Sequence, residues 1–309
     1  MAIAISQILA SSYAAVAKKK AENQWAESGF LKELERQKGI KHEAFGATIE
    51  EPLDYRRNPG AGFLATDLSP TSLSKTEVLT ALSYAEGQLS VPMVWSKADE
   101  AKNSSENQKV ALVKSIIENG LESHDDLVEE ALFATLTEGF QGLLTIFPDS
   151  GQGSVGGVDS AGEAWHRHYT TTYLAAGTNI QSRLAMAFNE AAKSTGGKMP
   201  SLLVSDGASQ GIYEGSIQAQ QRFVDKNDAD AGFKTLAFKS ARYVFSQYGG
   251  TRIYGFNPAH TYLKVSKDAW REKGEVQEIQ NSNGYVSKIY SMLQLVTRNK
   301  SRGFVLTQN

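Results

Sequence analysis

Apolar positions change their spacing several times along the chain, and each change predicts a different kind of element. In residues 1–43 they fall at Ile5, Ile8, Leu9, Tyr13 and Val16, then at Phe30, Leu31 and Leu34, with the polar stretch 18–24 between. This predicts two helical pieces on an arm rather than a packed domain. Residues 44–96 hold four of the seven prolines and two short apolar runs, around 49–55 and 78–95, separated by a middle rich in Gly, Pro, Ser and Thr. That is the pattern of a long two-stranded excursion with too little apolar surface to stand alone. From 96 to 138 the spacing turns helical, at Val110, Val113, Ile116 and Ile117 and again at Leu127, Val128, Ala131 and Leu132, with a break or kink predicted at Asn119-Gly120. Residues 139–176 read as glycine-rich loop. Residues 177–267 read as a compact α/β unit, with helices over 180–192 and 210–224 and strands near 202–205, 236–238, 243–245, 253–256 and 262–265. The tail 268–309 alternates at Ile289, Leu293 and Leu295 and ends in Phe304-Val305-Leu306, which predicts two more strands.

At 309 residues the chain is long enough for one large or two moderate domains with a real core. It has no cysteine, which removes disulfides, thiolate nucleophiles and Cys-ligated metal sites. A formal net charge of -2 leaves no global positive excess to drive nucleic-acid binding, so any DNA contact is expected to be local. No apolar run has the length of a membrane-spanning helix, and no membrane association is expected. Near the N-terminus Lys18, Lys19 and Lys20 follow the apolar stretch, the reverse of a secretory signal, so no targeting segment is read there. Charge is unevenly placed. Residues 115–166 carry ten acids and no Lys or Arg, whereas 264–309 carry eight Lys or Arg against four acids. A solvated helix face is the ordinary account of the acids, but like charge this dense also suits a basic partner surface.

Four motifs suggest chemistry. Gly207-Ala208-Ser209-Gln210-Gly211 matches the nucleophile elbow between a predicted strand and helix, and Asp228 or Asp230 followed by His260 completes the order of a serine hydrolase. Against it, the buried strands that such a fold builds before the elbow are missing, as is a His-Gly-Gly oxyanion loop. Gly151, Gly153 and Gly156 spell a dinucleotide fingerprint, but no helical period follows them, so a flexible loop is expected. His166 and His168 lie two apart without a third ligand at recognisable spacing, and surface or interface histidines are expected. The acidic loop of Asp225, Asp228 and Asp230 lacks the closing Glu of a calcium site. No catalytic residue, cofactor or metal site is expected.

Taken in order, the parts resemble the major capsid proteins of tailed bacteriophages, whose fold is shared with herpesvirus capsids. The residues that carry the resemblance are Gly46 to Tyr55 (GATIEEPLDY) with Asn58, and Val155-Gly156-Gly157-Val158-Asp159 followed by Trp165. Further along come Leu202 to Tyr213 leading into Gln220-Gln221-Arg222-Phe223, then Ala231-Gly232-Phe233 and Tyr254-Gly255-Phe256-Asn257. The match runs from about Phe45 onward, and departs where His166 stands in place of a second aromatic.

The resemblance implies an α+β capsid fold: an N-terminal arm (1–43), an extended β-hairpin loop (44–96), a long spine helix with the first part of a peripheral domain (97–176), a central α/β axial domain (177–267) and peripheral return strands (268–309). It implies a structural subunit that self-assembles through hexamers and pentamers into an icosahedral head around double-stranded DNA, in the virion and, during assembly, in the cytoplasm of the bacterial host. A portal protein and a separate scaffolding protein are the other expected partners, since little chain precedes the hairpin signature. The serine hydrolase using Ser209 and His260 is the alternative. Arg56, Arg57 and Lys75 in the hairpin, Glu122, Asp126 and Glu130 on the helix, and Arg298, Lys300 and Arg302 in the tail are expected at contacts between subunits, with the tail cations pairing with the helix acids within or between chains.

Overall fold

The computed structural model describes residues 29–46, 48–55, 79–102, 106–135, 138–193, 199–217 and 236–309, together with positions 61, 63 and 77. Expectations for the first helical piece of the arm, for Arg56, Arg57, Lys75, Asp225, Asp228 and Asp230, and for the segments 220–223 and 231–233 lie outside the described residues.

In chain order the strands are β1 Ile40–Glu43, β2 Ile49–Asp54, β3 Leu79–Tyr84, β4 Gly87–Ser96, β5 Ser154–Val155, β6 Val158–Asp159, β7 Tyr169–Tyr173 and β8 Leu202–Ser205. They continue as β9 Leu236–Phe238, β10 Ala241–Phe245, β11 Arg252–Phe256, β12 Thr261–Ser266, β13 Glu272–Lys273, β14 Gln277–Glu278, β15 Gly284–Thr297 and β16 Phe304–Gln308. One six-stranded sheet runs β7-β16-β11-β8-β10-β9, with β7 parallel to β16 and β8 parallel to β10. Its inner strands β8 and β11 are buried on both faces, which explains their continuous apolar runs. In β16, Phe304 and Leu306 pack against the helix Ile180–Lys193, while Val305 faces the main core on the other side. The second sheet runs β1-β12-β15, with β4, β13 and β14 also paired to the 14-residue β15.

The helix Glu106–Phe133 crosses this second sheet. Val113, Ile117, Leu121, His124, Val128 and Leu132 recur every three or four residues and are buried, while Glu122, Asp126 and Glu130 face solvent. Asn119-Gly120 does not break it: the helix runs on through both residues, contrary to the break the sequence suggests. A Cβ at Gly120 would stand 3.1 Å from the Met93 Cγ and 3.2 Å from the Ile289 Cδ1, so this glycine lets the helix lie close on β4 and β15.

Two further expectations are corrected. Phe30, Leu31 and Leu34 do not belong to an unpacked arm. They sit on the helix Gly29–Arg36, are at most 1% exposed, and join the core that contains Leu132, Tyr254 and Val305. Their three- and four-residue spacing is short, but it aims one whole face at the sheet. The stretch 139–176 is not simply loop. It holds a helical turn Leu143–Ile146, the β5–β6 hairpin and β7. The glycines at 151, 153 and 156 take positive φ in these turns, not the entry to a helix. The two tail strands are present but divide between the sheets, β15 in one and β16 in the other.

Candidate assembly site at the root of the hairpin

β2 and β3 pair antiparallel, Ile49 with Tyr84 through Asp54 with Leu79, and make no ladder with either sheet. Alternation along β2 turns Ile49, Glu51 and Leu53 to the same inward face. Glu51 is therefore a carboxylate at 1% exposure in a position where the pattern calls for an apolar side chain. A buried carboxylate requires charged partners, and it has two. Lys264 of β12 approaches at 2.5 Å, and Arg298, just past β15, at 2.7 Å through its Nε. Lys264 also reaches Glu43 of β1 at 2.6 Å. Beneath them the buried Tyr262 ring carries the Lys41 Nζ 3.3 Å from its centroid and the Arg298 guanidinium 5.6 Å away.

The electrostatics follow from this enclosure. Burial alone would raise the Glu51 pKa, but hydrogen bonds from Lys264 and Arg298 prevail and hold it below the usual carboxylate value. Burial opposes the charge on Lys264 too, yet its bonds to Glu43 and Glu51 keep its pKa above that of a free lysine. Lys41 is lowered, first by burial and then by the nearby Arg298.

The other hairpin strand is tied at the neighbouring point. The Tyr84 hydroxyl donates to the Thr297 carbonyl at 2.7 Å and accepts from the Thr297 N–H at 3.2 Å. On the opposite side the β5–β6 turn presses on β3: the Ser83 N–H donates to the Gly156 carbonyl at 3.0 Å. A Cβ on Gly156, whose φ is +58°, would stand 2.7 Å from the Leu82 Cβ. At the far end of β2 the Tyr55 ring meets Trp165 at 5.2 Å. A cleft of about 690 Å³ opens beside these rings, with Arg167, Lys193 and Arg302 among its lining residues.

Within the chain the tail cations engage groups other than the helix acids. Arg298 meets Glu51, Lys300 donates to the Ser160 hydroxyl at 3.2 Å, and Arg302 donates to the His260 Nε2. Asp126 accepts from the Tyr248 hydroxyl at 2.7 Å and from Gln247 at 3.3 Å, and Glu122 and Glu130 are exposed on the same helix. Lys300 is fully buried, as is His166, and His168 is 4% exposed within the single chain, so the expectation of surface or interface histidines is corrected. Burial, reinforced by the Lys300 charge, pushes His166 down to about 4 and His168 to about 3. Both imidazoles are neutral at pH 7. The Arg252 guanidinium grips the Asp149 carboxylate with two bonds of 2.8 Å, bracing β11 against the loop before β7.

The nucleophile reading of Ser209 fails on geometry. Ser209 is fully buried, its Oγ accepts from the Tyr173 hydroxyl at 2.8 Å, and its N–H is capped by Asp206 at 2.8 Å. Its small size suits a helix entry under β8. His260, the proposed base, is turned to Arg302 instead. Among the described residues no group of three His, Asp or Glu side chains is placed to hold a metal ion, and no helix is long and apolar enough to cross a membrane.

Glu51, Lys264 and Tyr84 were not singled out by sequence reasoning. A signal existed: an acid on the inward phase of an alternating strand, and a lysine in the middle of the apolar run of β12.

The sequence matches no family model, and no curated protein matches it. Solved structures do match. The capsid asymmetric unit of cyanophage A-1(L) superposes with a TM-score of 0.65 at 13% identity, over 91% of this chain and 92% of that one. Gordonia phage Cozz gives 0.58 at 13% identity, over 89% and 86% of the two chains. The capsid of Myoviridae phage XM1 gives 0.54 at 15% identity, over 89% and 91%. Over about nine-tenths of its length the chain therefore has the fold of these phage capsid subunits.

Proposed function

We propose that this chain is a major capsid protein of a tailed bacteriophage, a structural subunit that self-assembles into an icosahedral head around double-stranded DNA. The likeness in fold to phage capsid structures over about nine-tenths of both chains supports this most directly. The hairpin supports it independently. Among the described residues its strands form a ladder only with each other, and Leu79 is 67% exposed while Phe63 is fully exposed. Exposed apolar surface of this kind gains its burial when another copy covers it.

In this reading the hairpin lies across a neighbouring subunit, subunits group as hexamers and pentamers, and scaffolding and portal proteins are the other assembly partners. Contacts with packaged DNA are local and non-specific, as the near-neutral charge requires. Assembly takes place in the bacterial host cytoplasm and the product resides in the virion. The acids Glu122, Asp126 and Glu130 form an exposed face for a neighbour, and Arg56, Arg57 and Lys75 belong to the hairpin that reaches it.

Sedimentation of the purified protein, alone and with co-expressed scaffolding protein, tests the reading. Large particles of many copies are expected. A chain that stays a small oligomer in both conditions contradicts it.

A further inference from the structure

The cleft beside Tyr55 and Trp165 is lined by two guanidiniums that bond only to neutral acceptors among the described residues. Arg167 gives its Nε to the Ser160 carbonyl at 2.7 Å and its Nη2 to the Ala161 carbonyl at 2.6 Å. Arg302 gives one N–H to the His260 ring, its Nε is buried without a hydrogen bond among the described residues, and burial lowers its pKa. A third lining cation, Lys193, meets Glu190 of its own helix at 2.5 Å with its side chain 70% exposed. Against these three the lining offers the acids Asp54 and Glu190, so its net charge is positive. Guanidiniums shielded from water and bonded to carbonyls or an imidazole gain strongly from a carboxylate. The half-buried rings of Tyr55 and Trp165, 5.2 Å apart, add an apolar wall.

The 28-residue helix carries the complementary groups. Glu130 lies one turn from both Asp126 and Leu127, so the three share a patch on the exposed side. Leu127 is 40% exposed, and the Glu130 side chain has no hydrogen bond or ion pair among the described residues. The bonds that Asp126 accepts from Tyr248 and Gln247 both fall on its Oδ1. Among the described residues no ion pair joins these acids to the cleft cations within the chain, so the match is available only between copies. Residues 115–166 hold ten acids and no Lys or Arg, and a second copy therefore supplies the acidic surface that the cleft suits.

We propose that the cleft of one subunit receives the Asp126, Leu127 and Glu130 patch of a second copy, with the carboxylates on Arg167, Arg302 and Lys193 and the leucine against the two rings. The inference rests on the capsid reading above and names the surfaces that meet. Cleft and patch are different parts of the subunit, so the contact is head-to-tail, and head-to-tail contacts close into rings. Arg and Lys side chains are long and flexible and follow a carboxylate through a change of angle between copies, so one contact serves rings of five and of six. Leu127 gains burial in the same step.

Charge exchange tests the contact. Shell yield and subunit melting temperature are measured for the wild type, Glu130→Lys, Arg302→Glu and the double variant. Each single reversal is expected to cut shell yield by about tenfold with subunit melting close to the wild type, and the double variant to recover most of the yield. If Arg302→Glu melts early, Lys193→Glu takes its place, since that side chain is 70% exposed, and the same recovery with Glu130→Lys is expected. Single variants that assemble like the wild type overturn the contact while leaving the capsid reading intact, and so does a double variant no better than either single one. Loss with the cleft variants but not with Glu130→Lys assigns the cleft to a different acidic partner and overturns it as well. A wild type that forms no shells under any condition overturns the capsid reading, and the contact with it.

Discussion

A buried lysine whose partners among the described residues are a hydroxyl at 3.2 Å and a carbonyl at 3.5 Å carries a cost that can be measured at Lys300. Burial pushes its pKa down to about 8, so at pH 7 it is still charged in the folded subunit. Because the unfolded chain binds that proton up to about 10.5, stability is expected to rise as pH climbs from 8 to 10.5. Lys300→Met removes the charge with little change in volume and is expected to stabilise the subunit at pH 7 by ~1–3 kcal/mol, read from chemical denaturation. A lower midpoint would mean that the charge is compensated in the fold. The histidines beside it act at the other end of the pH scale. Unfolded, they take up protons near pH 6.5; folded, His166 does so only near 4 and His168 near 3. The folded state therefore loses stability as pH falls below 6.5, by ~1.4 kcal/mol per pKa unit for each histidine. In Lys300→Met both histidines lose a neighbouring positive charge, so the acid slope is expected to flatten. An unchanged pH profile of the unfolding midpoint would show that burial alone sets it.

At the scale of elements, the grip of the β5–β6 turn on the hairpin predicts a large effect from a small substitution. Gly156→Ala places a methyl 2.7 Å from the Leu82 Cβ at a φ of +58°. It is expected to destabilise the subunit by ~1–3 kcal/mol and to speed hydrogen exchange in β3, whereas Gly157→Ala, with open space around it, is expected to cost less through backbone strain alone. Equal effects at the two positions would show that crowding against Leu82 is unimportant. What was legible in the sequence, and what was not, divides along the same line. The α/β unit was readable because its strands are short apolar runs and its helix Ile180–Lys193 shows Ile180, Leu184, Ala187, Phe188 and Ala191 on one face. The 28-residue helix was readable for the same reason, although Gly120 reads as a break in sequence and functions as a contact in space. The packing of Phe30, Leu31 and Leu34 was not legible, because an eight-residue amphipathic piece looks the same whether its face meets the sheet or a partner. Nor was the placement of the tail cations. Charge counts give the sign of a region, whereas Arg298 finds Glu51 only because β15 ends beside β2.

For the whole molecule, the two sheets are joined by one core running from Phe30 through Leu132 and Tyr254 to Tyr262 and Leu295, and the hairpin strands add Ile49, Leu82 and Tyr84 to it. Self-burial does not finish the molecule. Leu79 and Phe63 stay exposed, and the helix acids Glu122, Asp126 and Glu130 face outward with like charge. Assembly would cover the first and screen the second, and salt is expected to alter assembly rate more than subunit stability. Electron cryomicroscopy of the material that the purified chain forms is the most direct test of the capsid account. The account predicts closed icosahedral shells in which each hairpin rests on an adjacent copy. Isolated small oligomers with the hairpin free in solution, at protein concentrations and scaffolding ratios that support shell assembly in phage systems, would contradict it.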